Sequence, residues 1–223
     1  MSPRFFLRNG LGTAAWNMAL DEALFEAAQE IGRPVLRFYG WSEPAATFGY
    51  SQHYQEVSSW TPLRPLVRRI TGGGLVPHDA DWTYSLIVPP ADPWYSLRAD
   101  ESYRQLHEWV AAAFAAVQVP AQLSACCEKT APGQCFAGAE KFDVLAAGRK
   151  IAGAAQKRNK LGLLIQGSVQ PGAQKIARTA WEEAMLNRSK TEWMELNVSE
   201  SISRRAEMLS LEKYARPEHN ERR

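Results

Sequence analysis

Cysteine is scarce in this sequence and is not spaced for metal or disulfide chemistry. The chain has 223 residues and three cysteines, Cys126, Cys127 and Cys135. Because they form an odd set without a C-x-x-C pair, the sequence predicts neither a zinc site nor a disulfide framework, and no bound metal is expected. Free thiols in such a pattern are typical of a reduced, cytoplasmic protein.

Long apolar runs and a large net charge are also absent. No apolar run approaches the roughly 18 residues of a membrane-spanning helix, and the first residues, MSPRFFLRNGLG, lack the apolar core of a signal peptide. The net charge of +2 gives no reason to expect nucleic-acid or membrane binding. What is present, 45% hydrophobic and 22% charged residues, suits one globular domain with a packed core.

Strand and helix patterns are mixed along the chain. Helical periodicity predicts helices over residues 16–31, with Asp21 toward solvent, and over about 101–119. The tail from about residue 173 is expected to be mostly helical, with Ser199 as a helix N-cap. Strand-like runs cover residues 35–41, 45–50, 65–70 and 82–90, and three more strands are predicted within 142–169. Because strands and helices do not alternate regularly, the sequence predicts an α+β, mixed-sheet fold.

The segment RRITGGGLVPHD, residues 68–79, is the most informative stretch. Gly72, Gly73 and Gly74 follow a strand and remove every Cβ from the turn, so a ligand can lie directly against the backbone amides. Bare N–H groups bind carboxylate, phosphate or acyl oxygens. The segment has neither the G-K-[ST] ending of a P-loop nor the following helix of a dinucleotide-binding motif. A tight loop that needs glycine only for its geometry is the alternative.

Polar side chains flank these glycines on both sides. Because neighbouring strand residues face opposite sides of a sheet, one of Arg68 and Arg69 is expected to face the site. His78 and Asp79 are expected to hold the turn through hydrogen bonds. The segment therefore offers a cation and a set of bare amides to the same ligand.

Two further segments carry candidate reactive groups. In GRKIAGAAQ, Lys150 shares a strand with small residues that leave room for an apolar chain, although a solvated edge lysine is the alternative. In GQCFAGAEKFD, Cys135 occupies a loop rich in glycine and alanine, where a nearby lysine would favour the nucleophilic thiolate. Free cysteines are more often buried and inert, so both interpretations of Cys135 stay open on these residues alone.

Four segments occur in a known order: NMALDEALFE, RFYGWSEPAATFGYSQ, RRITGGGLVPHD followed by TYS, and GRKIAGAAQ. On these motifs the chain resembles the lipoate-protein ligase A and octanoyltransferase group of the biotin/lipoate ligase superfamily, over about residues 5–215. The pair R-R-x-[ST]-G-G-G and G-[RK]-K-[IV]-x-G-x-A-Q is specific to that group. The G-R-G-R signature of biotin ligases is absent, which favours lipoyl chemistry.

The resemblance implies a fold and a site. The fold would be a mixed, largely antiparallel β-sheet flanked by helices, forming one catalytic domain over residues 1–223 without an accessory domain. An acyl pocket would lie over the sheet. Lys150 would contact the acyl carbonyl or a phosphate, and the head of an octanoyl or lipoyl group would be bound by the glycine turn and its neighbours. The substrate-binding residues implied are Arg69, Gly72, Gly73, Gly74, His78, Gly153, Ala155 and Gln156.

Two chemistries share this scaffold. In the cysteine-dependent octanoyltransferases, Cys135 would take an octanoyl group from acyl carrier protein as a thioester and pass it to a lysine of a lipoyl domain or a glycine-cleavage H protein, without a cofactor. Lys150 would be catalytic there, since it would lower the pKa of the Cys135 thiol and polarise the acyl carbonyl. In the ligases, ATP and Mg²⁺ first convert lipoate to lipoyl-AMP, and Cys135 would be incidental. The little sequence left after Val169 favours the transferase, whereas Gly74, often arginine in those transferases, is shared with the ligases.

Two further expectations concern binding. A non-catalytic relative that only binds acylated partners would keep the fold without turnover, although the intact lysine and glycine turn do not favour it. The turn formed by Lys157, Arg158 and Lys160 could steer acidic carrier proteins toward the pocket. A solvated hairpin tip is the alternative for that turn.

Overall fold

A computed structural model describes residues 3–127, 133–172, 175–189 and 191–222. The strands in chain order are β1 (Arg4–Gly12), β2 (Val35–Trp41), β3 (Ala45–Phe48), β4 (Leu66–Arg68), β5 (Val76–His78), β6 (Trp82–Val88), β7 (Gln122–Leu123), β8 (Val144–Ala146), β9 (Arg149–Asn159), β10 (Gly162–Val169) and β11 (Trp193–Glu195). The helices are α1 (Ala14–Glu26), α2 (Ala28–Ile31), α3 (Tyr54–Trp60), α4 (Pro93–Ser96), α5 (Ala99–Ala116), α6 (Arg178–Arg188), α7 (Glu200–Leu209) and α8 (Pro217–Asn220), with a π-helical turn at Ser210–Tyr214.

These strands form two sheets. The larger sheet has eight strands in the order β11-β1-β2-β6-β10-β9-β8-β7, and the smaller has three in the order β4-β3-β5. In the larger sheet β11, β1 and β2 are parallel, and every pair from β2 to β7 is antiparallel. The expected α+β fold with a mixed, largely antiparallel sheet is therefore confirmed.

Helices cover both faces of the larger sheet. The predicted periodic face of α5, including Leu106, Val110 and Phe114, is fully buried together with Trp181 of α6 on one face. Helix α1 packs with α7 on the other face. Full burial of such side chains stabilises the fold by about 1.5–3 kcal/mol each. Among the residues that the structure describes, no helix is long and apolar enough to cross a membrane.

The solvent-facing position predicted for Asp21 is wrong. Its carboxylate is fully buried between α1 and the sheet, where it forms an ion pair with Arg37 at 2.7 Å. It also accepts hydrogen bonds from the side chains of Tyr39, Ser85 and Gln166. Buried charges occur where such partners compensate the loss of water, and the partners come from strands that helical periodicity does not reveal.

Several boundaries differ from the predicted ones. The helix predicted over residues 16–31 is two helices, because the chain turns at Ala27. Ser199 caps α7 as predicted, accepting a hydrogen bond from the backbone N–H of Ile202. Strand β1 was not predicted, since Leu7 is its one buried residue and its exposure does not alternate. The predicted start of the helical tail, Ala173, lies outside the described residues.

Candidate active site

A cavity of about 310 Å³ is lined by residues of both sheets. This volume lies at the lower end of the range of about 300–1,000 Å³ typical of small-molecule sites. The structure brings to this cavity all the residues predicted to be catalytic or to bind substrate: Arg69, Gly72, Gly73, Gly74, His78, Cys135, Lys150, Gly153, Ala155 and Gln156. Segments far apart in the sequence therefore meet at one place.

The glycine turn holds the cysteine-bearing segment by backbone contacts. The N–H of Leu75 donates to the carbonyl of Gly133 at 2.8 Å, and the N–H of Cys135 donates to the carbonyl of Leu75 at 3.0 Å. The N–H of Gly74 donates to Cys135 Sγ at 3.0 Å. A Cβ on Gly74 would lie only 2.3 Å from the carbonyl oxygen of Gly133. Glycine at position 74 is thus required by the close approach of the cysteine segment.

Arg69 is the arginine that faces the cavity, as strand alternation requires for one of the pair. Its Nη1 donates to Thr47 Oγ1 at 2.7 Å, and its Nη2 donates to the carbonyls of Gly72 and Gly74 at 3.0 and 2.8 Å. Burial lowers the pKa of the Arg69 guanidinium from its ordinary value, and the nearby Cys135 opposes that shift. Arg69 and Cys135 border the same glycine, since a Cβ on Gly73 would be 3.4 Å from Arg69 Nη2 and 3.6 Å from Cys135 Sγ.

Arg68 points to the opposite side. Its guanidinium is fully buried and donates to the backbone carbonyls of Tyr50 and Gln52 at 2.9 and 2.7 Å. It also donates to those of His219 and Asn220 at 3.3 and 2.9 Å. Arg68 therefore binds the C-terminal part of the described chain to β4, away from the cavity.

Lys150 lines the cavity and forms an ion pair with Asp143, a residue that was not predicted from the sequence. Its Nζ lies 2.6 Å from Asp143 Oδ2 and donates to the backbone carbonyl of Cys135 at 2.5 Å. Asp143 is fully buried and accepts a 2.6 Å hydrogen bond from the hydroxyl of Tyr103. The lysine thus binds the main chain of the cysteine, and its charge is balanced by a carboxylate.

The glycine on β9 makes room for this lysine. A Cβ on Gly153 would lie 2.8 Å from Lys150 Nζ and 2.7 Å from Cε. The small residue that was predicted to leave space for an apolar chain therefore leaves space first for the lysine itself.

His78 is held by Asp81, and the expectation that Asp79 supports the turn is wrong. His78 Nδ1 lies 2.9 Å from Asp81 Oδ2, and His78 Nε2 lies 2.7 Å from Thr47 Oγ1. Asp79 is exposed, because β5 ends at His78 and the chain turns before Asp81 leads into β6. Burial would raise the pKa of Asp81, but His78 and hydrogen bonds from hydroxyl groups outweigh burial and lower it.

Thr47, Asp81, Tyr103 and Asp143, which form hydrogen bonds around the predicted groups, were not predicted as site residues. Tyr103 lies in the helix predicted over about 101–119, and its hydroxyl gave no sign of a partner. Asp143 directly precedes β8, which pairs with β9 in a register that places Leu145 opposite Lys150. That hairpin is the one sequence signal that could have brought the carboxylate to the lysine.

The fold is that of a lipoyl protein ligase catalytic domain. The chain matches the lipoyl protein ligase A/B catalytic domain family over residues 13–220, and it belongs to that family.

Octanoyltransferase LipM from Anoxybacillus flavithermus is 34% identical over 178 residues, which are 74% of this chain and 64% of that protein. The chain therefore spans less than two thirds of the length of this relative. A lipoate-protein ligase A bound with ATP superimposes with a TM-score of 0.80 at 21% identity, covering 99% of both chains. A bipartite lipoate protein ligase from Thermoplasma acidophilum, solved with its E2 lipoyl domain, gives 0.78 at 19%, covering 99% of this chain and 97% of that one. These structural likenesses show the shared fold.

Proposed function

We propose that this chain, acting as a single catalytic domain, transfers an octanoyl group from acyl carrier protein to a lysine of a lipoyl domain through a thioester on Cys135. The observation that carries the proposal is the position of Cys135, which lines the cavity and whose Sγ accepts a hydrogen bond from the Gly74 N–H at 3.0 Å. The similarity to LipM octanoyltransferases supports the same chemistry.

In the first half-reaction the thiolate of Cys135 attacks the carbonyl carbon of the octanoyl thioester. A new C–S bond forms, the C–S bond to the carrier's pantetheine thiol breaks, and the leaving thiolate takes a proton from solvent. Negative charge develops on the acyl oxygen in between. The bare amides of the glycine turn and the Arg69 guanidinium are the donors available to stabilise that charge.

In the second half-reaction the neutral amine of the acceptor lysine attacks the Cys135 thioester. A C–N bond forms, the C–S bond to Cys135 breaks, and the amine proton passes to the departing sulfur. The thiol is regenerated and an amide is released. No ATP is needed, because the thioester is already activated toward an amine.

One observation weighs against the ATP-dependent alternative. The cations that line the cavity in the described part of the chain are Arg69 and Lys150, and the charge of Lys150 is already balanced by a buried carboxylate. The glycine at position 74, shared with ligases, is explained by the packing of Gly133 against it.

Intact-protein mass spectrometry with octanoyl carrier protein tests the proposal. The wild type is expected to gain one octanoyl mass without ATP, and Cys135→Ala is expected to gain none. Cys127→Ala is the matched control, since Cys127 is exposed and lies outside the cavity lining. An acylated Cys135→Ala would contradict the Cys135 thioester, and pyrophosphate release on adding lipoate and ATP to an enzyme that never acylates would favour the ligase.

The acceptor and the cellular location stay predictions. The purified acyl-enzyme, offered separately to a lipoyl domain and to a glycine-cleavage H protein, is expected to lose its octanoyl mass to whichever protein is the acceptor. Loss to neither protein, at a rate no faster than hydrolysis, would contradict the second half-reaction. Fractionation of cells that express the full-length protein tests the predicted cytoplasmic location.

A further inference from the structure

We propose that Gln52 is a positioning residue for the cysteine-bearing segment, residues 133–135, because its side-chain amide holds Gly133, and with it Cys135, against the glycine turn. Gln52 is the last residue of the motif RFYGWSEPAATFGYSQ, and the resemblance assigned it no role. This inference rests on the proposed thioester chemistry, since it concerns how Cys135 is aligned with the amides that meet the acyl oxygen.

The Gln52 side chain joins two backbone groups that lie far apart in the sequence. Its Oε1 accepts a hydrogen bond from the N–H of Gly49 at 2.9 Å, and its Nε2 donates to the carbonyl of Gly133 at 2.9 Å. Because a backbone N–H only donates and a carbonyl only accepts, these two contacts require a side chain that does both. An uncharged amide of this length meets that requirement.

The carbonyl of Gly133 is one of the points at which the cysteine-bearing segment is attached to the glycine turn. It also accepts from the N–H of Leu75 at 2.8 Å, so both of its lone pairs are used. Two residues further on, the N–H of Cys135 donates to the carbonyl of Leu75, and its Sγ accepts from the N–H of Gly74, both at 3.0 Å. A displacement of Gly133 would therefore reach the sulfur through a single intervening residue.

Close packing restricts the position of Gly133 as well. Its φ of +79° lies in the left-handed region, and a Cβ there would be 2.6 Å from the Trp60 ring and 3.2 Å from Gln52 Nε2. Both the backbone conformation and the two neighbouring side chains therefore require glycine at this position. Gln52 and Trp60 contact the cysteine-bearing segment at the same residue.

The turn that carries Gln52 is itself attached to the glycine turn. The N–H of Tyr50 donates to the carbonyl of Thr71 at 2.9 Å, and a Cβ on Gly49 would overlap the carbonyl oxygen of Gly73. The backbone at Gly49 thus packs directly on the glycine turn. Gln52 therefore fixes the cysteine-bearing segment relative to the amides that are available to bind the acyl oxygen.

Acyl transfer needs two alignments at once, whereas alkylation of a thiol needs only one. In acyl transfer Cys135 Sγ must reach the carbonyl carbon while donors meet the acyl oxygen, and a misplacement of about 1 Å can cost about 100-fold in rate. Iodoacetamide reacts with an accessible thiolate without any charge developing on a carbonyl oxygen. Loss of the contact between Gln52 and Gly133 is therefore expected to affect transfer much more than alkylation.

Gln52→Glu tests the proposal, because a carboxylate still accepts from the N–H of Gly49 but cannot donate to Gly133. The kcat of octanoyl transfer is expected to fall about tenfold, and KM for the carrier protein is expected to change less than about twofold. Alkylation of Cys135 by iodoacetamide, followed by peptide mass spectrometry, is expected to stay within about threefold of wild type. Gln55→Glu, the same change on the exposed side of α3, is the matched control and is expected to leave all three values unchanged.

A second variant keeps the test decisive if Gln52→Glu does not fold. Gln52→Met removes both hydrogen bonds at about the same side-chain length, and its kcat is expected to fall at least as far. Wild-type kcat in either folded variant, or a loss of alkylation as large as the loss of transfer, would overturn the proposal. A wild-type enzyme whose Cys135 is alkylated but never gains octanoyl mass would instead refute the proposed function.

Discussion

Each of the two walls of the cavity supplies one cation, and the two cations differ in the groups that surround them. On the β9 wall, Lys150 is paired with the buried carboxylate of Asp143. On the glycine-turn wall, Arg69 is surrounded by a hydroxyl and backbone carbonyls. The first arrangement balances the charge and binds the main chain of Cys135, whereas the second leaves the guanidinium without a carboxylate among its hydrogen-bond partners.

This difference explains why arginine and lysine are not interchangeable at positions 69 and 150. A guanidinium is delocalised, weakly hydrated and presents several donors in one plane, so it tolerates burial against neutral acceptors better than an ammonium does. An ammonium in a buried site needs a carboxylate, or it loses its proton. Each wall thus carries the type of cation that its neighbouring groups can stabilise. Removing the two cations is therefore expected to have different effects.

The largest expected effect is the loss of folding stability in Lys150→Met. The change leaves Asp143, fully buried, without its cation, and removing one partner of a buried ion pair costs about 3–5 kcal/mol. The free energy of unfolding, measured by urea denaturation, is expected to fall by that amount.

The double change Lys150→Met/Asp143→Asn separates the pair from the single residue. It removes the orphaned charge and is expected to recover most of the lost stability. If Lys150→Met alone were as stable as the wild type, Asp143 would have to be paired with another cation in the folded variant.

The next effect concerns reactivity. Arg69→Met is expected to lower octanoyl transfer by about 100-fold or more, the cost of losing a preorganised donor at developing negative charge. Its stability is expected to fall less than that of Lys150→Met, by about 1–3 kcal/mol, because no buried carboxylate is left unpaired.

Arg68→Met is the matched control for Arg69→Met. It removes a neighbouring buried arginine whose hydrogen bonds go to the C-terminal segment and away from the cavity. It is expected to reduce stability while Cys135 still reacts with iodoacetamide. Equal loss of alkylation in both arginine variants would show that reactivity follows general stability and not the field of Arg69.

The contrast between Asp79 and Asp81 shows how much of the site is predictable from sequence. The glycine turn, Lys150 and Cys135 were found because each lies in a short motif whose backbone or charge is informative by itself. The partners were not, because a partner depends on where a strand ends. Because β5 ends at His78, Asp79 is exposed to solvent, and it is the carboxylate of Asp81 that binds His78 Nδ1.

The same limit applies to buried charge in the fold. Periodicity assigned Asp21 to solvent because a helix pattern distinguishes apolar from polar positions, and it cannot show that Arg37 lies underneath. The β8–β9 hairpin lies within the segment 142–169, for which strands were predicted, but the approach of Tyr103 from α5 to Asp143 was not predictable. Short motifs therefore predict which residues are reactive, whereas the partners that compensate a buried charge depend on contacts between segments distant in the sequence.

A third prediction concerns the pH dependence of the β9 wall. Burial lowers the pKa of His107 from 6.5 to about 4, although Asp143 and the carbonyl of Phe142 oppose the shift. Between pH 6.5 and 4 the unfolded chain binds a proton that the folded protein does not, so this residue reduces stability as the pH falls through that window. At pH 5 the expected reduction is about 2 kcal/mol relative to pH 8.

His107→Gln isolates this contribution. The difference in unfolding free energy between pH 8 and pH 5 is expected to shrink by that amount in the variant. If it does not shrink, His107 is protonated in the folded protein, and Asp143 is then balanced by two cations and not by Lys150 alone.

The smallest effect extends the comparison to cations at the surface. Lys157 and Arg222 lie over the Tyr50 ring at 5.8 and 4.5 Å, and neither forms an ion pair within the described residues. Arg158, which was grouped with Lys157 in the sequence, instead binds the carbonyl of Tyr95. The basic turn is therefore divided between two sides of β9.

Exposed charges change encounter rates more than they change binding free energy, and they are screened by salt. Lys157→Gln is therefore expected to raise KM for an acidic carrier protein by only about two- to threefold at low ionic strength. The effect should vanish at 0.5 M salt, where the Debye length is only about 4 Å. Arg158→Gln is the matched control, because the Arg158 guanidinium is already bound on the other side of the strand. A salt-independent rise in KM would place Lys157 in direct contact with the carrier instead of in its approach path.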